Sequence, residues 1–171
     1  MREHWLRIAG IDIAAVISIG TSIAQTILSE IGTDMSHSPT EKHFSSWPGL
    51  APHNDISGGK ILKSSTLKTR NRAGQAFRRA AASVIQSDSN FGAFYRRLKG
   101  RLGSMQALVA TAHKMARIIY HMLKDKLPYQ HIGADEYNQR FQERELRYLQ
   151  RKAAKLGFQL IPSTANAQAV S

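Results

Sequence analysis

The sequence predicts a mainly α-helical protein, in which a helical hairpin is followed by a loop-rich serine motif and then by a bundle of helices. Two observations carry this prediction. Apolar residues recur at helical spacing in several separate stretches of the chain. Hydrophobic residues make up 42% of the 171 residues, which is enough for a real core in one domain or in a domain with an appendage.

The first predicted element is a helical hairpin over residues 8–32. Ala24, Ile27, Leu28 and Ile31 recur at helical spacing, and Gly32 follows as a C-cap. The turn falls near Gly20. One reading is a helix-hairpin-helix, in which the Gly20 turn offers backbone N–H groups to a DNA phosphate. A plain pair of antiparallel helices fits the same pattern equally well.

The remaining elements follow in order within a predicted domain of residues 1–162. A short helix opens after Pro39 and carries His43, Phe44 and Trp47, and residues 48–70 are predicted as the serine-motif loop because Pro, Gly, Ser and Thr dominate there. Helices fill most of residues 71–157, and the small polar residues 163–171 are expected to be a disordered tail. The predicted helices of that region cover residues 71–86, 91–98, 105–123 and 135–156.

Positive charge is concentrated in one part of the chain. The formal net charge is +12, and eleven Lys and Arg residues with a single acid, Asp88, lie between Lys60 and Arg101. A block of this kind is typical of proteins that bind a polyanion, most often nucleic acid. A merely soluble basic face is the alternative interpretation.

Composition also indicates the cellular compartment. The chain has no cysteine, which excludes disulfides and cysteine-based zinc sites and fits a cytoplasmic location. The apolar stretch near the N-terminus is interrupted by Asp12 and Gln25, and its longest uncharged run is diluted by Ser, Thr and Gln. We therefore expect no membrane association.

The segment Ser57-Gly58-Gly59-Lys60 is the most suggestive short motif. It lacks the earlier glycine of a nucleotide P-loop, and Ile61 stands where that motif needs Ser or Thr. The two glycines would let a phosphate approach closely. A serine nucleophile needs a base or metal to accept its proton, and only His53 and Asp55 lie nearby in sequence. Spacing alone favours a surface turn over a catalytic serine.

Other polar residues give no metal site. His113, Arg117 and His121 share one helical stripe, which favours a polar or phosphate-contacting edge over a metal site. The acids of residues 135–145 are predicted to pair with arginines on a solvated helix face. No carboxylate cluster has the spacing of a two-metal nuclease.

Taken together, longer stretches of the chain resemble a known family. "LSEIGTDMSHSPTEKHFSSWPGLAPHNDISGGKILKSSTLKTRNRAGQAFRRAA", with "FGAFYRRLKGRLG" and "YQHIGADEYNQRFQERELRYLQRKAAKLGFQLIP" further on, is similar to the C-terminal domain of insertion-sequence 110/116/902 transposases. The resemblance extends over residues 6–162.

The resemblance implies a chemistry. The family's serine nucleophile, which forms a covalent link to a DNA phosphate, falls on Ser57, with Gly58, Gly59 and Lys60 beside it. An N-terminal RuvC-like domain of such enzymes carries the acidic tetrad that binds Mg²⁺. Better-studied members use a structured guide RNA and assemble as oligomers. The basic residues expected to contact nucleic acid are then Lys63, Lys68, Arg70, Arg72, Arg78 and Arg79, together with Gly20 in the hairpin turn.

The sequence departs from the family pattern in two ways. The stretch that resembles the family begins just before the helical hairpin, and the RuvC-like domain with its tetrad is missing, so no cofactor is expected in this chain. Locally, Ser18 replaces the hairpin glycine, His37-Ser38 a basic–aromatic pair, and Pro48 a small or apolar residue. The prediction is a truncated transposase that binds DNA but does not recombine it alone. The alternative is a non-catalytic nucleic-acid-binding remnant or a regulator of a full-length transposase, with which it would assemble.

Overall fold

The computed structural model describes residues 2–66 and 71–162, and these are mainly helical. They divide into two compact units, residues 1–134 and residues 135–171. The first unit holds six α-helices, one 3₁₀ helix and a two-stranded sheet among its described residues, and the second holds most of one long helix. The prediction of a mainly α-helical fold is confirmed.

The N-terminal part differs in detail from the predicted hairpin. Helix α1 spans Arg2–Ala9, a 3₁₀ helix spans Ile13–Ala15, and α2 spans Thr21–Ile31. Gly10 has a φ of +69°, and Asp12 accepts a hydrogen bond from the Ala14 N–H and so caps the 3₁₀ turn. The arm before the turn is therefore two short helices, because the left-handed Gly10 interrupts the backbone pattern that an α-helix needs.

The next two helices begin close to their predicted starts. Helix α3 spans Glu41–Ser46, and the Thr40 hydroxyl accepts a hydrogen bond from the His43 N–H at its start. Helix α4 spans Arg72–Ser83, with the Asn71 side chain as N-cap, and it buries the apolar face that the sequence predicts. Asn and Thr are favoured at N-caps because their side-chain oxygens satisfy N–H groups that have no partner within the helix.

Helices α5 and α6 complete the core of the first unit. Helix α5 spans Asn90–Leu102 and begins at the N-cap Ser89, and α6 spans Ser104–Asp125. The sequence predicted that this helix ends at residue 98, but it continues to Leu102 and is capped by Gly103, whose φ is +84°. The buried core joins α2, α3, α4 and α6 through fully buried side chains, which include Ile27, Phe44, Phe77, Met115 and Ile119.

The last helix belongs to the second unit. Helix α7 spans Ala134–Lys155, close to the predicted range 135–156, and Gly157 has a φ of +79° just after its end. The segment Phe158–Pro162 has no regular secondary structure, and the predicted tail 163–171 lies outside the described residues. Within the described residues, no helix combines the length and the apolar character needed to cross a membrane.

Candidate functional site

The serine motif lies on a β-hairpin, where the sequence predicted a loop. Strand β1 spans Pro52–Ser57 and pairs antiparallel with β2, Lys60–Thr66. Ser57 faces Lys60 across the last pair, so Gly58 and Gly59 form a two-residue connection. Both glycines have positive φ, +54° and +76°, as a type I′ turn requires. Two glycines at this place were a hairpin signal that the loop prediction overlooked.

The hairpin stands in solvent. Every residue of β1 is exposed, and so are Gly58, Gly59 and Lys60 at the tip. A Cβ atom added to either glycine would meet no other atom within 4 Å. The glycines therefore serve the backbone turn and leave open space beside Ser57, rather than relieving a packing clash within the protein.

The side chains of His53 and Asp55 lie on the same face of β1, because successive residues of a strand alternate between its two faces. The strand pairing shifts register between Asp55 and Ile56, before Ser57 is reached. The His53 Nε2 atom is 3.8 Å from an Asp55 carboxylate oxygen, and both side chains are more than half exposed. Among the described residues, no side chain makes a hydrogen bond to the Ser57 hydroxyl. Asp55 lies between His53 and Ser57 in the strand, so the arrangement is not that of a serine–histidine pair.

The base of the hairpin is fixed to helix α4. The chain runs over Gly74, where an added Cβ would lie 2.2 Å from the Pro48 carbonyl oxygen. The Arg78 guanidinium donates a 2.8 Å hydrogen bond to the Gly49 carbonyl, and Gly49 itself has a φ of +66°. Pro48 thus packs closely on α4 rather than disturbing the path to the serine. The β-hairpin that carries Ser57 is therefore exposed at its tip, while the Pro48–Gly49 segment that leads into it is held against α4.

The predicted nucleic-acid contacts are not gathered in one place. Lys60 is exposed beside Ser57, and Lys63 faces Asp55 in the strand pairing. Arg72 and Arg79 are exposed on α4, where Arg72 lies 3.7 Å from Glu30. Arg78 is partly buried by its bond to Gly49 and so has a structural role that sequence spacing did not reveal. Lys68 and Arg70 lie outside the described residues.

In the turn before α2, Ser18 adopts a left-handed backbone conformation of the kind that glycine favours. Ser18 has a φ of +66°, a conformation that costs about 1–2 kcal/mol for a residue with a Cβ atom. Its hydroxyl donates to the Ala80 carbonyl at 2.5 Å and accepts from the Ser83 hydroxyl at 2.7 Å. These bonds to α4 hold the turn despite the substitution. Gly20 is the N-cap of α2 and has open space where a Cβ would stand.

The stripe of His113, Arg117 and His121 has a structural partner. Both Arg117 and His121 contact the Glu41 carboxylate at the start of α3, at distances of 2.8 to 3.1 Å, and His121 also contacts Asp125 at 3.0 Å. Arg117 and His121 lower the pKa of Glu41, while Asp125 and Glu41 raise the pKa of His121. Burial, with Arg117, lowers the pKa of His113. Arg117 and His121 therefore link α6 to α3.

The described residues include no cluster of metal-binding side chains. Across residues 2–66 and 71–162, no group of three or more His, Cys, Asp or Glu side chains could hold a metal ion. The Mg²⁺ that the family resemblance implies does not fit the residues present there.

Comparison with known proteins agrees with the resemblance in the sequence. Residues 13–96 match the model of a family described as Transposase IS116/IS110/IS902 family. The match runs from the 3₁₀ helix through the serine hairpin and α4 into α5. No curated protein sequence matches the chain. Similarity to such a family supports a role in transposition and an interaction with DNA. The resemblance to the IS116/IS110/IS902 family of transposases is confirmed over residues 13–96, which are just under half of the chain.

Proposed function

We propose that this chain binds DNA in the cytoplasm and presents Ser57 as the nucleophile of DNA strand exchange. The observation that carries the proposal is the position of Ser57, which is the last residue of a solvent-exposed β-strand and lies next to a glycine pair with open space around it. A DNA phosphate is bulky and rigidly attached to its chain, so a nucleophile that reaches it must project from the protein.

The proposed step is a phosphoryl transfer. The Ser57 Oγ atom attacks a DNA phosphorus and forms an Oγ–P bond, while the bond from that phosphorus to a deoxyribose oxygen breaks. The serine proton leaves the hydroxyl, and the released sugar oxygen takes up a proton. Lys60, opposite Ser57 in the strand pairing, supplies positive charge near the phosphate. A later attack by another sugar hydroxyl on the phosphoserine rejoins the DNA and restores Ser57.

The hairpin alone does not activate the serine. No described side chain accepts a hydrogen bond from the Ser57 hydroxyl, and the His53–Asp55 pair is exposed to water on both sides. A serine with an ordinary hydroxyl pKa is a weak nucleophile. We therefore propose that activation comes from a RuvC-like domain with bound Mg²⁺, supplied by a full-length transposase, and that the purified chain does not recombine DNA alone.

A second function is supported by the basic residues, because they are separate from the serine. The exposed basic residues of α4 and of the hairpin do not depend on Ser57, so nucleic-acid binding can persist without catalysis. The chain would then act as a regulator that occupies element ends, or a guide RNA, or joins a full-length transposase in mixed oligomers.

The experiment that separates these functions follows covalent protein–DNA adducts on element-end DNA, with and without a full-length relative. The proposal predicts an adduct of this chain only in the presence of the relative, and its loss in Ser57→Ala. The matched control is Ser65→Ala, which removes another exposed hydroxyl of the same hairpin. If Ser57→Ala binds DNA like the unmodified chain and neither protein forms an adduct under any condition, the regulator function replaces the catalytic one.

A further inference from the structure

The serine hairpin exposes two apolar side chains close to its tip. Ile56 directly precedes Ser57 and is 63% exposed, and Leu62 follows the turn on the other strand and is 71% exposed. Single exposed apolar residues are common on protein surfaces. These two, however, lie near each other at the end of an arm whose first strand is exposed along its whole length. The chemistry proposed for Ser57 uses neither of them.

The strand pairing explains how Leu62 comes to lie there. Asp55 pairs with Lys63 and Ile56 pairs with Ile61, so Leu62 is an extra residue of β2 that has no counterpart in β1. A β-bulge of this kind bends the strand and redirects side chains, and bulges are frequent next to functional sites. The bulge therefore adds an apolar residue beside the Ile56–Ile61 pair, which is itself the pair next to Ser57.

The charge of the surrounding sequence indicates the kind of partner. Residues 53–72 contain five Lys and Arg residues and a single acid, Asp55. Lys60 is exposed at the tip, between the two apolar residues in sequence. A protein surface that covered Ile56 and Leu62 would not require this excess of positive charge, whereas the phosphates of a nucleic acid attract it. Duplex DNA fits both features, and the choice of DNA over RNA rests on the function proposed for Ser57.

We propose that Ile56 and Leu62 insert between adjacent base pairs of a DNA duplex while Lys60 contacts the backbone phosphates. A two-stranded ribbon is narrow enough to enter a DNA groove. Apolar side chains that enter the base stack open one step and kink the duplex by about 20–90°. The free energy spent on unstacking is offset because the two apolar side chains leave water.

The position of Ile56 relates the opened step to Ser57. Successive Cα atoms lie about 3.8 Å apart, and successive base pairs lie about 3.4 Å apart along the duplex. An inserted Ile56 therefore brings Ser57 within about one or two nucleotides of the opened step. Separation of the two base pairs makes the phosphate between them more accessible to the serine hydroxyl. This consequence depends on the proposed function, whereas the insertion itself does not need a reactive serine.

Bending of DNA by the full chain tests the insertion. A duplex of element-end DNA carries a fluorophore at each end, and energy transfer between the two rises when the duplex kinks. The unmodified chain and Ser57→Ala should both raise the transfer. The double variant Ile56→Thr, Leu62→Thr should not, although threonine keeps the preference for strand structure. The matched control is Leu127→Thr, which removes a leucine of 61% exposure outside the hairpin and should leave the kink unchanged.

A duplex with one central mismatch gives a second readout. A mismatched step is easier to open, so the unmodified chain should bind this duplex at least about tenfold more tightly than the matched one. The double variant should lose that preference but keep the slope of log K against log salt, since Lys60 is still present. A conservative double variant, Ile56→Val with Leu62→Ile, keeps both side chains apolar and should retain the kink and the preference for the mismatch.

The outcomes separate this proposal from its rivals. If the unmodified chain does not kink DNA, or if the threonine double variant kinks it equally, the insertion does not occur. If that variant kinks DNA normally but no longer binds a full-length relative, Ile56 and Leu62 form a protein contact instead. Kinking by both the unmodified chain and Ser57→Ala, without any covalent adduct, would support the insertion and refute the serine chemistry.

Discussion

The close contact between α4 and the Pro48–Gly49 segment, which leads into the serine hairpin, makes a quantitative prediction for Gly74→Ala. The new Cβ atom would lie 2.2 Å from the Pro48 carbonyl oxygen, and the backbone must move by more than about 1 Å to reach an ordinary contact distance. Overpacking of this kind costs about 1–3 kcal/mol. The displaced loop would also weaken the bond from Arg78 to the Gly49 carbonyl, a charged hydrogen bond with a net value of about 1.5–3 kcal/mol.

One effect opposes these losses. Alanine is favoured over glycine within a helix by about 1 kcal/mol. The expected net destabilisation is therefore about 3 kcal/mol, which for a chain of this size lowers Tm by about 6–12 °C. Thermal unfolding followed by circular dichroism measures this directly.

The matched control is Gly100→Ala. Gly100 lies in α5 with no atom within 4 Å of the added Cβ, so the same substitution should raise stability slightly. If Gly74→Ala melts at the same temperature as Gly100→Ala, or above the unmodified chain, the close contact between α4 and the Pro48–Gly49 segment does not exist. The segment that leads into the serine hairpin would then not be held by α4.

Three further predictions concern charged residues. The raised pKa of His121 means that its protonated form is favoured in the folded chain, so its stabilising effect is present below about pH 6.5 and is lost as the pH rises through the raised pKa. Since the lowered pKa of His113 has the opposite effect, the test is the Tm difference between the unmodified chain and His121→Gln, which should shrink between pH 6 and pH 8. For DNA binding, Lys60→Ala should reduce the slope of log K against log salt by about one, as loss of one phosphate contact requires. Arg78→Ala should instead lower Tm, because Arg78 holds Gly49; an unchanged Tm would return Arg78 to the DNA-contacting residues.

The sequence allowed the helices to be predicted well, because their signals are local. Apolar spacing placed the starts of α4 and α5 within a residue or two. The serine hairpin was missed for a physical reason. Its first strand is exposed on both faces, so no buried alternation marks it, and only the glycine pair at its tip indicates the turn.

Contacts between distant residues could not be predicted from spacing. In the sequence, Arg78 is one of several basic residues in a block. The structure shows that it donates a hydrogen bond to the carbonyl of Gly49, which lies 29 residues earlier. The same holds for Glu41, which is joined to Arg117 and His121 across about 80 residues of chain. Ser18 was expected to disturb the turn before α2, yet hydrogen bonds to α4, more than 60 residues away, hold its backbone in the left-handed form.

The most direct test of the central claim is the chemical location of a covalent adduct. The chain is mixed with element-end DNA and a full-length relative whose own catalytic serine has been replaced by alanine, so that only this chain can supply the nucleophile. After nuclease and trypsin digestion, mass spectrometry of the peptide His43–Lys60 should show a nucleotide phosphate on Ser57, and not on Ser45 or Ser46. An adduct that persists in Ser57→Ala, or that maps to another residue, would contradict the account.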